Sequence, residues 1–381
     1  MRKKIVGCFL ACLMLFGAGA GMTPESAPFT AKSRSVVLMD QGTGKILFES
    51  KAEEPIAAAG CAKLMAMLLT FEAVDNGTLS LSEEITVSQT AAKMGGTQAF
   101  LEANTAYKAE TLVKSLCMAS ANDAAIALAE KLFGSEEVLV QKMNERAKEL
   151  GCKQTNFADG VGLSDDTVTS AKDLALIACK LCQYRSVFSY TGLYRDSLTH
   201  PTGRITELVN ANRMVRFYNG CDGLATGSSA KAQYGVAATA KKGDMRLIAV
   251  ALGSRDTAGR FDDAKAMLDY GFANFVSKVL VRKGETLKKE LKIEGAHQNI
   301  DVAAGEQVRL VLPKGEEKGI TKELALLENL SAPIEKGQQV GDVIVMQNGK
   351  EIARVPAVSC GEIKEMNLGE CLRRIAIRWI R

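Results

Sequence analysis

The sequence predicts an α+β domain followed by a small all-β domain. Short apolar strands occur near the beginning, at residues 36–39 and 46–48, and again between residues 234 and 252. Apolar residues at helical spacing dominate from about residue 59 to residue 149. Strands at both ends of one segment, with helices between them, are typical of an α+β sheet domain. After residue 279 the pattern changes to short strands separated by Gly, Asn and Lys turns.

Residues 1–20 have the pattern of a secretory signal peptide. Three cations at positions 2–4 precede an apolar run from Ile5 to Phe16, and Ala18-Gly19-Ala20 resembles a cleavage site. An uncleaved membrane anchor is the alternative, but the run is shorter than the ~20 residues that a spanning helix needs. We therefore expect an exported protein.

The length and charge of the chain indicate two domains and argue against nucleic acid as a partner. The chain of 381 residues has a formal net charge of +4, and most of this excess comes from the predicted leader. No strongly basic surface is predicted, so nucleic acid is not an expected partner. About 360 residues without the leader are enough for two domains, each with its own core.

Cysteine and histidine usage argues against a metal site or another cofactor. Cys179 and Cys182 form one C-x-x-C motif without a second half, and the only histidines, His200 and His297, lie far apart. A disulfide framework is possible in an exported protein, but buried free thiols are the simpler expectation for a chain of this size. The eight cysteines beyond the leader are Cys61, Cys117, Cys152, Cys179, Cys182, Cys221, Cys360 and Cys371.

The first motif along the chain is a glycine-containing turn at Asp40–Lys45. Gly42-Thr43-Gly44 could belong to a phosphate-binding loop, but it lies between two short apolar strands. A hairpin turn is therefore the better prediction.

The central stretch, Pro55–Thr70, leads through small residues into an apolar helix. Lys63 lies three positions after Gly60, so both residues share one face of a helix. Serine enzymes with an S-x-x-K motif use this spacing, because the lysine amine then reaches the serine hydroxyl. A lone lysine is more often solvated, so this interpretation needs further motifs.

Two downstream stretches supply these further motifs. Ser120-Ala-Asn122 has the form of an S-x-N motif at the start of a second apolar helix. Asp222-Gly-Leu-Ala225-Thr226-Gly227 has the form of a K-T-G strand in which alanine replaces the lysine. Ser120 as a simple helix cap is the alternative interpretation.

The order and spacing of these motifs resemble the D-alanyl-D-alanine carboxypeptidases of the low-molecular-mass penicillin-binding protein type, the S11 serine peptidases. The resemblance covers roughly residues 30–276 and implies a serine β-lactamase or penicillin-binding-protein-like transpeptidase domain. A class A β-lactamase is the near alternative. The absence of an E-x-x-x-N loop before residue 210 and the long continuation after the third motif favour the carboxypeptidase.

The resemblance also implies roles for individual residues. Lys63 would be the general base, and Ser120 and Asn122 the relay and positioning pair. The backbone amides of Gly60 and Ser228 would form the oxyanion hole.

Substrate contacts are implied on the third motif. Thr226, Gly227 and Ser228 would contact the substrate. Ala225 stands where a lysine would pair with the substrate carboxylate, a contact worth roughly 1.5 to 3 kcal/mol.

Gly60 occupies the nucleophile position and has no side chain that could form an acyl-enzyme. Losing the nucleophile in a comparable relay costs on the order of a millionfold in turnover. Cys61 is not expected to replace it, because two residues along a helix turn Cys61 away from Lys63. We therefore predict a catalytically impaired homologue that binds peptidoglycan stem peptides ending in D-Ala-D-Ala, or protein partners. The alternative is an active carboxypeptidase that trims the terminal D-Ala.

The C-terminal part is predicted to be a β-sandwich over residues 279–360, and residues 332–341 resemble the family's C-terminal domain. Residues 366–381 would form an amphipathic helix with arginines largely off one face, and that face carries Leu368, Cys371, Leu372, Ile375 and Trp379. Such a helix suits a membrane surface, with packing against another protein as the alternative. We expect the protein at the outer face of the bacterial cytoplasmic membrane or in the cell wall.

Overall fold

The computed structural model describes residues 29–294, 296, 298–365, 369 and 372. The predicted leader (1–20) and, apart from Gly369 and Leu372, the predicted C-terminal helix (366–381) lie outside the described residues. Among the helices of the described part, none is long and apolar enough to cross a membrane.

The first domain combines one large sheet with helices, as predicted. Its strands are β1 Ser35–Asp40, β2 Ile46–Ser50, β3 Ile56–Ala57, β4 Glu84–Thr86, β5 Ala106–Lys108, β6 Val168–Thr169, β7 Arg195–Thr199, β8 Ile205–Val209, β9 Cys221–Ser229, β10 Gln233–Lys242 and β11 Met245–Ser254. Its helices are α1 Lys63–Asp75, α2 Gln89–Ala92, α3 Ala109–Ala119, α4 Asn122–Phe133, α5 Glu136–Glu149, α6 Ala171–Leu181, α7 Phe188–Thr191, α8 Met214–Phe217 and α9 Thr257–Asn274.

Strands from both ends of the domain form one five-stranded antiparallel sheet in the order β2-β1-β11-β10-β9. The side chains of β1 alternate between two cores: Val37 and Met39 pack with the core of α1 and α6, and Val36 and Leu38 pack with the core of α9. Because both faces are covered, β1 is buried along its whole length, which explains the continuous apolar run Val36–Met39. The predicted α+β class is confirmed.

The predicted helical region between residues 59 and 149 also contains a small two-stranded sheet, which the pattern did not indicate. β4 pairs with β5, and each three-residue strand buries a single side chain, Ile85 and Tyr107. One buried residue per strand is too short a signal for a period-2 pattern.

The C-terminal part is all-β, as predicted. β13, β14, β18, β17 and β16 form a five-stranded sheet, and β12 pairs with β15. The turn between β17 and β18 is Asn348-Gly349, in which both residues have positive φ angles, as a type I′ hairpin requires. The bounds are β12 Phe275–Val281, β13 Thr286–Leu291, β14 Ile300–Ala304, β15 Val308–Pro313, β16 Ile320–Leu326, β17 Gln339–Gln347 and β18 Lys350–Ser359.

Candidate active site

A single 3₁₀ turn, Ala59–Ala62, precedes α1, in place of the α-helix that the sequence pattern predicts there. A 3₁₀ helix has three residues per turn, so Gly60 and Lys63 lie directly above one another. The Lys63 Nζ atom is 3.6 Å from the place that a Cβ atom on Gly60 would occupy. Ala59 has a φ angle of +43°, an uncommon backbone conformation that clusters at functional sites.

Lys63 is buried, with 3% of its surface exposed, so the alternative of a solvated lysine is wrong. Its Nζ donates hydrogen bonds to Asn122 Oδ1 (2.8 Å) and to the Val161 carbonyl oxygen (3.0 Å). Both acceptors are neutral, and burial lowers the pKa of Lys63 to about 8. A lysine with this pKa can accept a proton near neutral pH.

Asn122 is fixed from several sides at the first position of α4. Its Nδ2 donates to the Gly95 carbonyl oxygen (2.7 Å), and its backbone N–H donates to Thr97 O (2.7 Å). The neighbouring Asp123 carboxylate accepts from the Ala99 and Leu101 amides, at 3.0 Å each. The segment from Gly95 to Leu101 is thereby fastened to the helix that presents Asn122 to Lys63.

Ser120 lies between α3 and α4 in the left-handed backbone conformation, with φ +56° and ψ +35°. It ends α3, and the N-cap position of α4 belongs to Ala121. Its half-buried hydroxyl has no hydrogen-bond partner among the described residues. Ser120 is therefore the cap residue that ends α3, through its backbone N–H, and not the N-cap of α4.

The edge strand β9 carries the third motif and is in close backbone contact with the 3₁₀ turn. A Cβ atom on Gly60 would lie 2.8 Å from the Thr226 carbonyl oxygen and 3.3 Å from Gly227 Cα. A Cβ atom on Gly227 would lie 2.7 Å from the backbone nitrogens of Gly60 and Cys61. Both positions therefore require glycine in this arrangement. A side chain at position 60 would therefore require β9 or the 3₁₀ turn to shift.

The other residues of the third motif differ in exposure. Ala225 and Thr226 are buried and Ser228 is exposed. Ala225 pairs with Ala237 of β10 and packs with the core of α1, so the lysine position contributes only a methyl group.

Cys61 is fully buried, and a Cβ atom on Gly235 of β10 would lie 3.5 Å from its Sγ atom. Burial raises the pKa of the thiol to about 11, so it stays protonated and unreactive at neutral pH.

The segment Asp159–Thr167 also contributes to the site, although no catalytic motif marks it. The Asp159 carboxylate accepts from the Gly162 and Ser164 amides at 3.0 and 2.8 Å and from the Thr167 hydroxyl at 2.7 Å. Gly162, with φ +80°, packs so closely that a Cβ atom would lie 1.8 Å from Ala59 O. This fold of the segment directs the Val161 carbonyl at Lys63. The sequence signal for this segment is the glycine-containing stretch at residues 157–163.

Arg260 of α9 is a second buried cation near the site that sequence reasoning did not identify. Its Nη1 donates to Gly227 O (3.0 Å) and Gly235 O (2.9 Å), so it joins β9 to β10 beside the third motif. A single arginine in a helical pattern gives no signal of this role.

The lowered pKa of Lys63 predicts a pH dependence of stability. Between pH 8 and 10.5 the unfolded chain holds the Lys63 proton more tightly than the folded chain, so the free energy of unfolding rises with pH. In Lys63→Met this contribution is absent. Urea denaturation should show the natural protein gaining roughly 3 kcal/mol relative to Lys63→Met across this window. Parallel stability profiles would contradict a buried lysine with a lowered pKa.

Comparisons with known proteins agree with this architecture. The family model of D-alanyl-D-alanine carboxypeptidase matches residues 21–256, and the model of the C-terminal domain of penicillin-binding protein 5 matches residues 275–365. D-alanyl-D-alanine carboxypeptidase DacF of Bacillus subtilis is 36% identical over 385 residues, which cover 100% of this chain and 99% of that protein. DacC of Escherichia coli is 30% identical over 366 residues, covering 93% of this chain and 90% of the relative.

A solved structure of penicillin-binding protein 5 from Haemophilus influenzae matches with a TM-score of 0.74 and 26% identity, covering 89% of this chain and 99% of that one. The resemblance read from the three motifs is confirmed by these matches. The chain belongs to the D-alanyl-D-alanine carboxypeptidase family, the S11 serine peptidases of peptidoglycan metabolism, and has the C-terminal domain of penicillin-binding protein 5.

Proposed function

We propose that this protein is an exported cell-wall protein that binds peptidoglycan stem peptides ending in D-Ala-D-Ala and has little or no peptidase activity. One observation carries the proposal. Lys63 and Asn122 keep the hydrogen bond of a working site, while the position that should attack is Gly60, against which the β9 backbone packs.

The chemical step that this site lacks is acylation. Acylation forms a bond between a nucleophile and the carbonyl carbon of the peptide, and Gly60 has no atom that could form it. Lys63 would then have no hydroxyl proton to accept. Ala225 removes a positive charge for the substrate carboxylate as well. Both losses affect the same reaction, which favours an inactive descendant over a single chance replacement.

Features useful for binding remain. β9 is an edge strand, so an extended peptide could add to it through backbone hydrogen bonds. The exposed Ser228 and the hydroxyl of Thr226 lie on this strand, and the side-chain amide of Asn122 lies next to Lys63. In this proposal the amides of Gly60 and Ser228 hold a peptide carbonyl without activating it.

The alternative is an active carboxypeptidase that uses another group at the site. Ser120 is the candidate, because its hydroxyl has no hydrogen-bond partner among the described residues and it lies two residues from Asn122. Cys61 is excluded as a nucleophile by its burial and its raised pKa.

Export and membrane attachment belong to the same proposal. The leader at residues 1–20 would direct secretion, and the basic helix at residues 366–381 would hold the protein at the outer face of the membrane. The catalytic-type domain over residues 30–276 and the sandwich over residues 279–360 would then both lie outside the cell.

Fluorescent penicillin tests the loss of acylation. We expect no covalent label on the natural protein or on Gly60→Ala, and label on the double variant Gly60→Ser with Ala225→Lys. Gly60→Ala is the matched control, because it adds the same Cβ atom against Thr226 O without a hydroxyl. Both Gly60 variants should lose about 1 to 3 kcal/mol of stability, since β9 must move. Label on the natural protein would contradict the proposal.

Calorimetry tests the retained binding. The natural protein should bind diacetyl-Lys-D-Ala-D-Ala saturably, and Thr226→Val should weaken binding about 2- to 10-fold through loss of one hydrogen bond. Thr90→Val, an exposed threonine on α2, is the control and should bind normally. No saturable heat with the natural protein would leave a pure scaffold as the better description.

A further inference from the structure

His200, the only histidine among the described residues, is buried next to a segment that borders the candidate active site. It follows β7 at the turn to β8, and only 2% of its surface is exposed. Its Nδ1 atom lies 2.8 Å from the Tyr107 hydroxyl of β5, and its Nε2 atom lies 2.8 Å from the Thr206 hydroxyl of β8. The ring therefore joins the β7–β8 hairpin to β5.

The partners of His200 require its ring to be neutral. The Tyr107 hydroxyl oxygen accepts from the Glu102 backbone N–H (3.1 Å), so its own proton is free for His200 Nδ1. The second group at Nδ1 is Arg204 Nη2, at 3.3 Å, and a guanidinium can only donate. This hydrogen-bond network assigns Nδ1 as the acceptor and places the ring proton on Nε2, which donates to Thr206. A proton on Nδ1 would face two donors.

Arg204 connects this ring to residues 95–104, which we call the bordering segment. Its Nη2 also donates to the Phe100 carbonyl oxygen, and its Nε lies 3.6 Å from Glu102 Oε1. Phe100 has a φ angle of +59°, and the backbone amides on either side of it are held by the Asp123 carboxylate. Such a backbone conformation persists only where the surroundings enforce it. Arg204 makes one of the contacts that enforce it.

The charged groups around His200 favour the neutral ring. Burial lowers the pKa of His200, and Arg204 lowers it further. Two carboxylates favour the charged ring, but both are engaged. Glu102 Oε1 accepts from the Thr202 hydroxyl (2.6 Å), and Asp123 accepts from backbone amides. The folded chain therefore holds the His200 proton less tightly than the unfolded chain, so protonation below about pH 6.5 opposes the folded arrangement.

The bordering segment reaches the candidate site at its other end. The Gly95 carbonyl oxygen accepts from Asn122 Nδ2 (2.7 Å), and Asn122 Oδ1 accepts from Lys63 Nζ (2.8 Å). The position of the Asn122 side chain therefore depends on the segment that Arg204 and His200 hold at Phe100.

We propose that His200 is a positioning residue of the candidate site, which holds the bordering segment in place only while its ring is neutral. Stem-peptide binding then weakens as the pH falls. This inference rests on the proposed function, because the affected ligand is the same peptide. A proton on His200 repels Arg204, which releases the Phe100 carbonyl oxygen and removes support from Asn122.

Two measurements on the full protein test this role. Calorimetry gives the affinity for diacetyl-Lys-D-Ala-D-Ala at about pH 7 and about pH 5, and NMR follows the His200 ring and the backbone amides of residues 95–104 over the same range. The variant is His200→Asn, whose Oδ1 atom can accept in place of Nδ1 but takes up no proton. The matched control is His297→Asn, which removes the only other histidine of the chain.

We expect the natural protein and His297→Asn to bind the peptide about 5- to 10-fold more weakly at the lower pH, and His200→Asn to bind it equally at both. The amides of residues 95–104 should titrate with the same midpoint as the His200 ring, below pH 6.5. Saturating peptide should lower that midpoint by about 0.7 to 1 pH unit, because binding and protonation are reciprocal.

Tyr107→Phe is a second variant, which keeps the ring of His200 and removes the donor to Nδ1. It should raise the midpoint of His200 by about 0.5 to 1 pH unit, the equivalent of one hydrogen bond. An unchanged midpoint would contradict the assigned arrangement.

Two further outcomes separate this inference from the proposed function. Affinity that falls equally in the natural protein and in His200→Asn, or amides that do not titrate with the ring, would overturn the positioning role and leave the proposed function intact. If the natural protein binds no peptide at either pH, the proposed function fails. The NMR titration then still decides whether His200 holds the bordering segment.

Discussion

The close contact between the edge strand β9 and the 3₁₀ turn at Gly60 determines the rest of the candidate site. At this point two backbone segments meet without an intervening side chain, and both Gly60 and Gly227 would clash through an added Cβ atom. Such an approach is possible only for glycine. The contact explains how the fold is well packed although position 60 has no side chain. Because of this contact, a serine at position 60 would require the β9 backbone to move as well as adding a hydroxyl group.

Around this contact lie two buried cations and two residues in strained backbone conformations, and all four lower the stability of the fold. Lys63 is buried and has no carboxylate partner among the described residues, and Arg260 is a second buried cation, which donates to the Gly227 carbonyl oxygen of β9. Ala59 and Ser120 both adopt left-handed backbone conformations. Such features persist where surrounding structure enforces them and where a site has a use for them. Their presence around Gly60 supports the proposal that the site binds a ligand.

Much of the fold and part of the candidate site could be predicted from the sequence. The three-residue spacing of Gly60 and Lys63 places them on one face in either kind of helix, and strong strand patterns at both ends of the domain predict the shared sheet. The segment that aims the Val161 carbonyl at Lys63, and the role of Arg260, could not be predicted, because they depend on contacts between residues about 100 and about 30 positions apart. The 3₁₀ turn was also missed, because small residues carry no periodic signal. The closure of β9 onto Gly60 follows only from three-dimensional packing.

We propose that a site with its base and positioning residues in place cannot form an acyl-enzyme, because position 60 has no side chain. The most direct measurement is release of D-alanine from a pentapeptide ending in D-Ala-D-Ala, with Lys63→Ala as the comparison. We expect the same background rate for both proteins, because Lys63 has no nucleophile to activate. Release by the natural protein above the Lys63→Ala rate would contradict it and would point to a working nucleophile at the site.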